Sequence, residues 1–202
     1  MTLESAYWKA VLLSLLKPSI PIIQFKPEKR QPPSRSIPVE SAWVGIESIL
    51  ADLIDRFHLG TNSCLEFGVE HGYSTVALSS FFNCITGVDT FIGDQHTVNN
   101  KDIYDETVSR LAPFKNIQLI RCAFEDWIMQ DNNSYDLIHV DIVHTYAATF
   151  ACGLWSATHS HCAIFHDTTS FPAVKQAVSD IARRTGKTFY NFDESNGLGI
   201  LV

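Results

Sequence analysis

The chain has 202 residues, a formal net charge of −7 and a hydrophobic content of 46%. This length suits one domain, and the apolar share is large enough to fill its core. An acidic chain without a cluster of lysine and arginine argues against nucleic-acid binding.

The five cysteines are separate along the chain, with no C-x-x-C pair among them. Their number is odd, and most of them have apolar neighbours in segments that resemble strands or helices. We interpret them as reduced core thiols of a cytoplasmic protein, rather than as disulfide partners or zinc ligands.

The first 40 residues differ in character from the rest. Residues 10–16 are apolar, but the run is too short to span a membrane, and Lys17 and Pro18 end it. It predicts a short amphipathic helix, which would offer a contact surface for a homo-oligomer. Six prolines between residues 18 and 40 predict an extended connector. We therefore expect a helix and connector over residues 1–40 and one domain over residues 41–202.

From residue 41 onward, helix-like and strand-like segments alternate. A first helix is predicted from about Ile46 to Phe57, where apolar residues recur at helical spacing, and Gly60 ends it. Five strands are predicted over residues 63–67, 84–88, 117–122, 135–140 and 163–166. Helices are predicted between them, over residues 74–82, 104–112, 124–130 and 145–157.

The C-terminal part is predicted to form a helix and a hairpin. The helix opens close to Pro172, since proline is favoured in a first helical turn, and it ends before Gly186. Residues 188–192 and 199–202 follow as two antiparallel strands. Together the elements predict an α/β protein with a Rossmann-like, doubly wound, mostly parallel seven-stranded sheet that ends in an antiparallel hairpin.

The segment LEFGVEHGYSTV, residues 65–76, leads from the first of these strands through a loop into a helix. Gly68 and Gly72 are four residues apart and no Gly-x-Gly is present, so the loop lacks the fingerprint of a dinucleotide site. Glu66 would repel a pyrophosphate, but it suits the ammonium of a methionine group. The pattern therefore favours an S-adenosylmethionine site.

Acidic residues also stand at the ends of the other strands. Asp89 ends the second strand, where a carboxylate can accept hydrogen bonds from two ribose hydroxyls. Asp141 follows the fourth strand and Asp167 follows the fifth. Because ligands of doubly wound sheets bind beyond the carboxyl ends of the strands, we expect these groups to meet at one site.

Four blocks of sequence, in this order, resemble class I S-adenosylmethionine-dependent methyltransferases. The blocks are LEFGVEHGYSTV at 65–76, GVDTFIGDQH at 87–96, LIHVDIVHTY at 137–146 and FHDT at 165–168. The first is similar to the catechol-type O-methyltransferases, and the others are similar to the methyltransferase domain 24 group. The resemblance covers about residues 40–202.

The resemblance implies which residues bind the cofactor. They are Glu66, Gly68, Gly72, Ser74, Asp89 and Thr90. Glu66 and Gly68 would lie against the methionine part, Asp89 would bind the ribose, and Thr90 would lie near the adenine. Phe124 follows the third strand where related enzymes often carry Gly-Asp-Ser, and it could pack on the adenine instead.

The resemblance also implies a reaction centre. In metal-dependent members a carboxylate after the fourth strand binds a divalent cation, and a residue three positions later acts as the base. Asp141 and His144 match this pattern, and His166 and Asp167 stand where further metal ligands are expected. Imidazole suits zinc, manganese or iron better than magnesium. Either the metal differs, His166 points elsewhere, or the site is metal-free with His144 as the only base.

Two other histidines bear on the site. His96 lies in a loop, within residues 91–104, that we expect to cover the site together with the connector and to govern specificity. His139 stands inside a predicted strand, and we expect it to pack in the core rather than to bind a ligand.

The expected function is S-adenosylmethionine-dependent methylation of a hydroxyl on a sugar, a polysaccharide or a small secondary metabolite. The acceptor class follows from family analogy alone. Two other classes stay open at this point. One is a non-catalytic domain that binds an adenosine ligand. The other is a metal-dependent hydrolase built on the cluster of Asp141, His144, His166 and Asp167.

Overall fold

The computed structural model describes residues 20–93 and 101–202. The predicted N-terminal helix and His96 lie outside these ranges. Within the described part, eight strands form one sheet, and helices connect most of them.

The strands are β1 Ile22–Gln24, β2 Ser63–Phe67, β3 Cys84–Asp89, β4 Ile117–Arg121, β5 Tyr135–Val140, β6 Ser160–His166, β7 Phe189–Phe192 and β8 Leu198–Leu201. The helices are the 3-10 helix Ile46–Ile49, α1 Leu50–Arg56, α2 Tyr73–Leu78, α3 Tyr104–Leu111, α4 Phe124–Gln130, α5 Tyr146–Thr158 and α6 Pro172–Thr185. Every predicted strand and helix of the domain is present, and most bounds differ from the prediction by a few residues at most. The largest difference is at α2, which ends at Leu78 rather than at residue 82.

The sheet order is β1-β7-β8-β6-β5-β2-β3-β4, which confirms the doubly wound, mostly parallel prediction. β8 is antiparallel to both of its neighbours, β6 and β7, and the other pairs are parallel. Strand order reverses between β2 and β5, and a crevice opens at such a switch point. This topology brings the carboxyl ends of β2, β3, β5 and β6 to one edge of the sheet.

The number of strands is a correction to the prediction of seven. Residues Ile22–Gln24 of the predicted connector form an eighth strand, which pairs in parallel with β7 from Ile22 opposite Phe189 to Gln24 opposite Asn191. Three residues are too few to show an alternating pattern in the sequence. The strand forms because the outer edge of β7 offers unpaired backbone groups that an extended segment can satisfy.

Alternating residues of the central strands fill two separate cores. On one face, residues such as Cys64 and Ile85 pack against the 3-10 helix, α1 and α2. On the other face, residues such as Leu65 and Val88 pack against α4, α5 and α6. Successive side chains of a strand point to opposite faces of the sheet, and because helices cover both faces here, neighbouring residues of one strand enter different cores.

The cysteines bear out the sequence analysis in part. All five lie in the described residues and are free thiols, of which Cys64, Cys152 and Cys162 are buried. Burial raises the pKa of the Cys162 thiol to about 12, so it stays protonated at neutral pH. Within residues 20–93 and 101–202, no helix is long and apolar enough to span a bilayer.

Gly153 provides a test of how closely α5 approaches the sheet and α6. A Cβ atom at this position would lie 2.6 Å from Cε1 of Phe165 and 2.7 Å from Cδ1 of Ile181. We expect Gly153→Val to lower the free energy of unfolding by about 1–3 kcal/mol through overpacking. Ala151→Val, at an exposed position of the same helix, should cost only about 0.6 kcal/mol through helix propensity. Urea denaturation of both variants checks this, and equal losses would contradict the close packing.

Candidate functional site

A cleft of about 970 Å³ opens at the edge of the sheet where β2, β3, β5 and β6 end. Eight residues that the sequence predicted for the cofactor or for the reaction centre line this cleft. The eight residues are Gly68, Ser74, Asp89, Thr90, Asp141, His144, His166 and Asp167. Glu66 and Gly72, which were also expected at the cofactor, are not among the lining residues. Topology therefore unites the two halves of the predicted site.

The two glycines of the β2–α2 loop are needed for the packing of the loop. Gly68 has φ 87°, and a Cβ atom there would lie 1.7 Å from the carbonyl oxygen of Asp141. Gly72 has φ 86°, caps α2, and lies against the side chain of Leu111. Both positions need glycine for conformation and for close approach, before any ligand is considered.

Asp89 holds the same loop from the end of β3. Its Oδ2 accepts hydrogen bonds from the backbone N–H groups of Val69 and Glu70, each at 2.8 Å. Its Oδ1 accepts from the N–H of Phe91 at 2.7 Å. The carboxylate faces the cleft and is fixed by three backbone donors. Among the described residues these bonds use three of its roughly four lone-pair sites, and the remaining site, on Oδ1, can accept from a ligand hydroxyl.

The side chain of Glu66 is fully buried and points into the protein. Its Oε1 lies 2.9 Å from Nδ1 of His139, and its Oε2 accepts a hydrogen bond from the hydroxyl of Thr75. The indole N–H of Trp43 donates to Nε2 of His139 at 3.2 Å. Because an indole can only donate, Nε2 of His139 must accept, and the ring proton must lie on Nδ1. The four residues form a continuous hydrogen-bonded chain, which we call the buried relay.

His139 is thus a core residue, as the sequence analysis expected, with 0% exposure. Trp43 is also buried, with 1% exposure, and it lies in a turn before the 3-10 helix. No spacing rule could have found their contact, since 96 residues separate the two partners.

The second half of the cleft is a cluster of two carboxylates and two imidazoles. His144 Nε2 lies 2.7 Å from Oδ2 of Asp167 and 3.7 Å from Oδ1 of Asp141. His166 Nδ1 lies 3.0 Å from Oδ2 of Asp141, and its Nε2 lies 3.1 Å from the carbonyl oxygen of Ser195. All four members of this cluster were predicted from the sequence, and the structure brings them together.

Local structure fixes each member of the cluster. Asp141 leaves β5 with its N–H bonded to the carbonyl of Phe67 at 2.8 Å. Thr145 caps α5 by accepting from the N–H of Ala148, which sets the loop that carries His144. The ring of His144 stacks on Phe171, with centroids 4.1 Å apart. Asp167 has φ 63°, a conformation that bends the chain as it leaves β6.

Proximity shifts the pKa values in the cluster in opposite directions. Burial raises the pKa of the Asp141 carboxyl, but the imidazoles of His144 and His166 outweigh burial and hold that pKa well below its usual range. Burial lowers the pKa of His144, but Asp141 and Asp167 outweigh it and raise the pKa to about 9. The pKa of His166 is also raised, mainly by Asp141 against the effect of burial. Both imidazoles of the cluster are therefore shifted toward their protonated forms by the carboxylates beside them.

The donor set fits a divalent cation at one position. Ligand atoms of Asp141, His144 and Asp167 all lie within 4.8 Å of one another. Two carboxylates and one imidazole suit manganese, iron or zinc better than magnesium. His166 contributes differently from what was expected, because both of its ring nitrogens lie against protein acceptors. This arrangement favours the alternative in which His166 orients Asp141 rather than binds a metal.

Further residues complete the cleft. Glu40, the last residue of the connector, lines it together with Ser41, Ala42 and Trp43, and so does Phe91 with its neighbours after β3. Phe124, at the start of α4, also lines it. The connector and the loop after β3 were expected to cover the site, although no motif in either identified the residues that do so.

Comparisons with known proteins agree with the fold and the site. Residues 65–168, about half of the chain, match the family described as a methyltransferase domain. No curated protein matches the chain. Among solved structures, a Klebsiella pneumoniae protein assigned as an O-methyltransferase has a TM-score of 0.58 at 14% identity, with 82% of each chain covered.

Two further structures hold a ligand. An O-methyltransferase from Bacillus cereus, solved with S-adenosylhomocysteine, has a TM-score of 0.52 at 16% identity, with 74% of this chain and 77% of that chain covered. The O-methyltransferase TomG from Streptomyces achromogenes, involved in tomaymycin synthesis and solved with S-adenosylmethionine, has a TM-score of 0.52 at 14% identity, with 74% and 75% covered. At these identities the likeness concerns the fold.

The position of Glu66 leads to a stability prediction. Glu66→Gln keeps the size of the side chain but presents an amide N–H₂ to a site that needs two acceptors, so one buried donor is left unsatisfied. We expect the free energy of unfolding of the ligand-free protein to fall by about 1–3 kcal/mol. Glu40→Gln, at an exposed carboxylate, should change it by less than about 0.5 kcal/mol. Thermal and chemical unfolding without ligand decide this, and an unchanged Glu66→Gln would refute the structural role.

Proposed function

This chain belongs to the methyltransferase-domain family and is an S-adenosylmethionine-dependent methyltransferase, and we propose that it methylates a hydroxyl oxygen of a sugar, a polysaccharide or a small secondary metabolite. The observation that carries the proposal is the single cleft. One half of it bears four of the six residues implied for the methyl donor, Gly68, Ser74, Asp89 and Thr90, and the other half bears the cluster of Asp141, His144, His166 and Asp167, which would hold and deprotonate a hydroxyl. Its volume lies at the upper end of the range for ligand pockets, which suits two ligands at once.

In the donor half, each wall residue has a chemical role. Gly68 and Ser74 lie where the loop turns into α2, and backbone and hydroxyl donors there suit the methionine carboxylate. Asp89 presents a fixed carboxylate, with one free acceptor site on Oδ1, to a ribose hydroxyl. Thr90 and Phe124 lie on the same wall, where an adenine ring would meet an aromatic face.

In the acceptor half, the task is to align an oxygen and to remove its proton. Methyl transfer from a sulfonium needs little covalent help, so in-line placement contributes much of the rate. Nε2 of His144 faces the two carboxylates, and His144 is the group that would take the proton of the acceptor. With a pKa of about 9 it holds a proton at neutral pH, so it can serve as a base only when the negative charge beside it is offset.

A divalent cation would fit that requirement, and the residues that would hold it are Asp141, His144 and Asp167. When bound, such a cation lowers the pKa of a coordinated hydroxyl and offsets the charge of the two carboxylates. His144 would then be either a ligand or the base, but not both at the same nitrogen. His166 keeps Asp141 oriented in either case.

The role of Asp89 predicts a loss of donor binding. Asp89→Asn removes the charge and one set of acceptor lone pairs at the ribose position. We expect the Kd for S-adenosylmethionine, measured by isothermal titration, to rise about 10-fold, which corresponds to about 1.4 kcal/mol. Asp105→Asn, at an exposed position of α3, serves as the matched control and should bind like the wild type. An unchanged Kd for S-adenosylmethionine in Asp89→Asn would contradict the assignment of Asp89 to the donor site.

The role of His144 predicts a loss of turnover without a loss of donor binding. We expect His144→Ala to lower kcat about 100-fold or more, the usual contribution of a general base. Release of S-adenosylhomocysteine with a panel of methyl glycosides and catechols measures this, while titration should give an unchanged Kd for S-adenosylmethionine. His161→Ala, at the exposed start of β6, is the control. Full turnover by His144→Ala would refute the assignment, and donor binding without any transfer by the wild type would favour a binding domain instead.

A further inference from the structure

The connector contributes a wall to the cleft, and the structure fastens this wall at two points. The wall consists of Glu40, Ser41 and Ala42, which line the cleft, and we call these three residues the acceptor wall. Trp43, the next residue, also lines the cleft, but its side chain is only 1% exposed, and it is the anchor of the wall. The first point of attachment is the hydrogen bond from its indole N–H to His139.

The second attachment links the same segment to the acceptor cluster. The hydroxyl of Ser195 donates to the carbonyl of Val44 at 2.6 Å. The carbonyl of Ser195 in turn lies 3.1 Å from Nε2 of His166, whose Nδ1 lies against Asp141. Val44, two residues after the acceptor wall, is therefore connected through Ser195 and His166 to Asp141 in the other half of the cleft.

The buried relay continues from His139 to the donor half. Glu66 accepts from His139 with one oxygen and from Thr75 with the other, so both ends of its carboxylate are engaged. Glu66 and Thr75 are the sequence neighbours of Phe67 and Ser74, at the two ends of the loop that the methyl donor would contact. Any ligand that restrains Gly68 and Ser74 also restrains the relay, because they share one short backbone segment with its two last members.

We propose that Trp43 and His139 are positioning residues, which hold the acceptor wall in place and couple its order to the occupancy of the donor half. This rests on the proposed function, since it assumes that S-adenosylmethionine occupies the loop between β2 and α2. In this proposal neither residue takes part in the chemical step. Their effect is that the donor, by fixing the loop, also fixes the surface against which the acceptor is aligned.

The relay is suited to this task because every group in it is buried and satisfied. Trp43, Glu66, Thr75 and His139 are at most 1% exposed. Losing any member leaves a buried donor or acceptor without a partner, which costs far more than an exposed hydrogen bond. The relay therefore ties the position of the wall firmly to that of the loop between β2 and α2.

Amide hydrogen exchange of the full chain tests the coupling without an acceptor. In the wild type, saturating S-adenosylmethionine should slow the amide exchange of residues 40–46 about 5-fold or more. A factor of about 5 is the lower limit of the coupling usually found between two binding sites. Trp43→Phe should still bind the donor but lose most of this protection. Tyr135→Phe is the control, since it also removes one side-chain hydrogen bond, from Tyr135 to Asp131, at the amino end of β5, opposite the cleft, and it should behave like the wild type.

Substitution of His139 supplies a second, independent variant in case Trp43→Phe does not fold. His139→Gln keeps an acceptor for Trp43 and a donor for Glu66 at similar separation, so it should retain part of the protection. His139→Leu has neither group and should lose it. A merely structural role for His139 would weaken stability in both variants without distinguishing their donor-induced protection.

Steady-state kinetics with the most active methyl glycoside or catechol of the panel gives the functional readout. Trp43→Phe should raise the KM of that acceptor at least about 5-fold, with kcat and the Kd of S-adenosylmethionine close to the wild-type values. If the wild type binds S-adenosylmethionine but residues 40–46 exchange at the same rate as in the ligand-free protein, this inference is overturned and the proposed function stands. If the wild type does not bind S-adenosylmethionine at all, the proposed function itself fails.

Discussion

The site depends on one buried carboxyl group. Glu66 stands at the centre of the sheet, where β2 separates β3 from β5, and it is completely shielded from water. A carboxylate in such a place is tolerated only with good hydrogen-bond partners, and His139 on β5 and Thr75 on α2 provide them. The same bonds join the neighbouring strand and the helix after the glycine loop, so that satisfying Glu66 fixes the geometry of the loop.

The second constraint comes from the topology of a parallel sheet. Strands that run in the same direction place their carboxyl ends together, and in this chain acidic residues follow those ends. Asp89, Asp141 and Asp167 consequently share one cleft. Each is compensated in its own way. Asp89 is held by three backbone N–H groups, whereas Asp141 and Asp167 are balanced by His144 and His166. The imidazoles are thus required by the electrostatics of the site as well as by its chemistry.

Much of the fold could be derived from the sequence because its signals are local. The bounds of β2 and β5 match the prediction, since apolar runs with clear flanking turns define a buried strand. The Pro172 start and the Gly186 end of α6 likewise follow from the conformational limits of those two residues. β1 escaped detection because a three-residue strand has no recognisable period, and it exists only because β7 leaves an edge to be paired.

The sequence by itself determined the order of the elements, the glycine loop and the acidic residues at strand ends, because each depends on residues adjacent in the chain. It therefore sufficed to predict a site for the methyl donor and to name the four residues that the structure brings together in the Asp/His cluster. Only the tertiary structure decided which way their side chains point. Glu66 faces inward to His139, and His166 faces Asp141 and Ser195, because the partners that satisfy them come from distant parts of the chain. Burial makes those partnerships obligatory, and no local pattern encodes them.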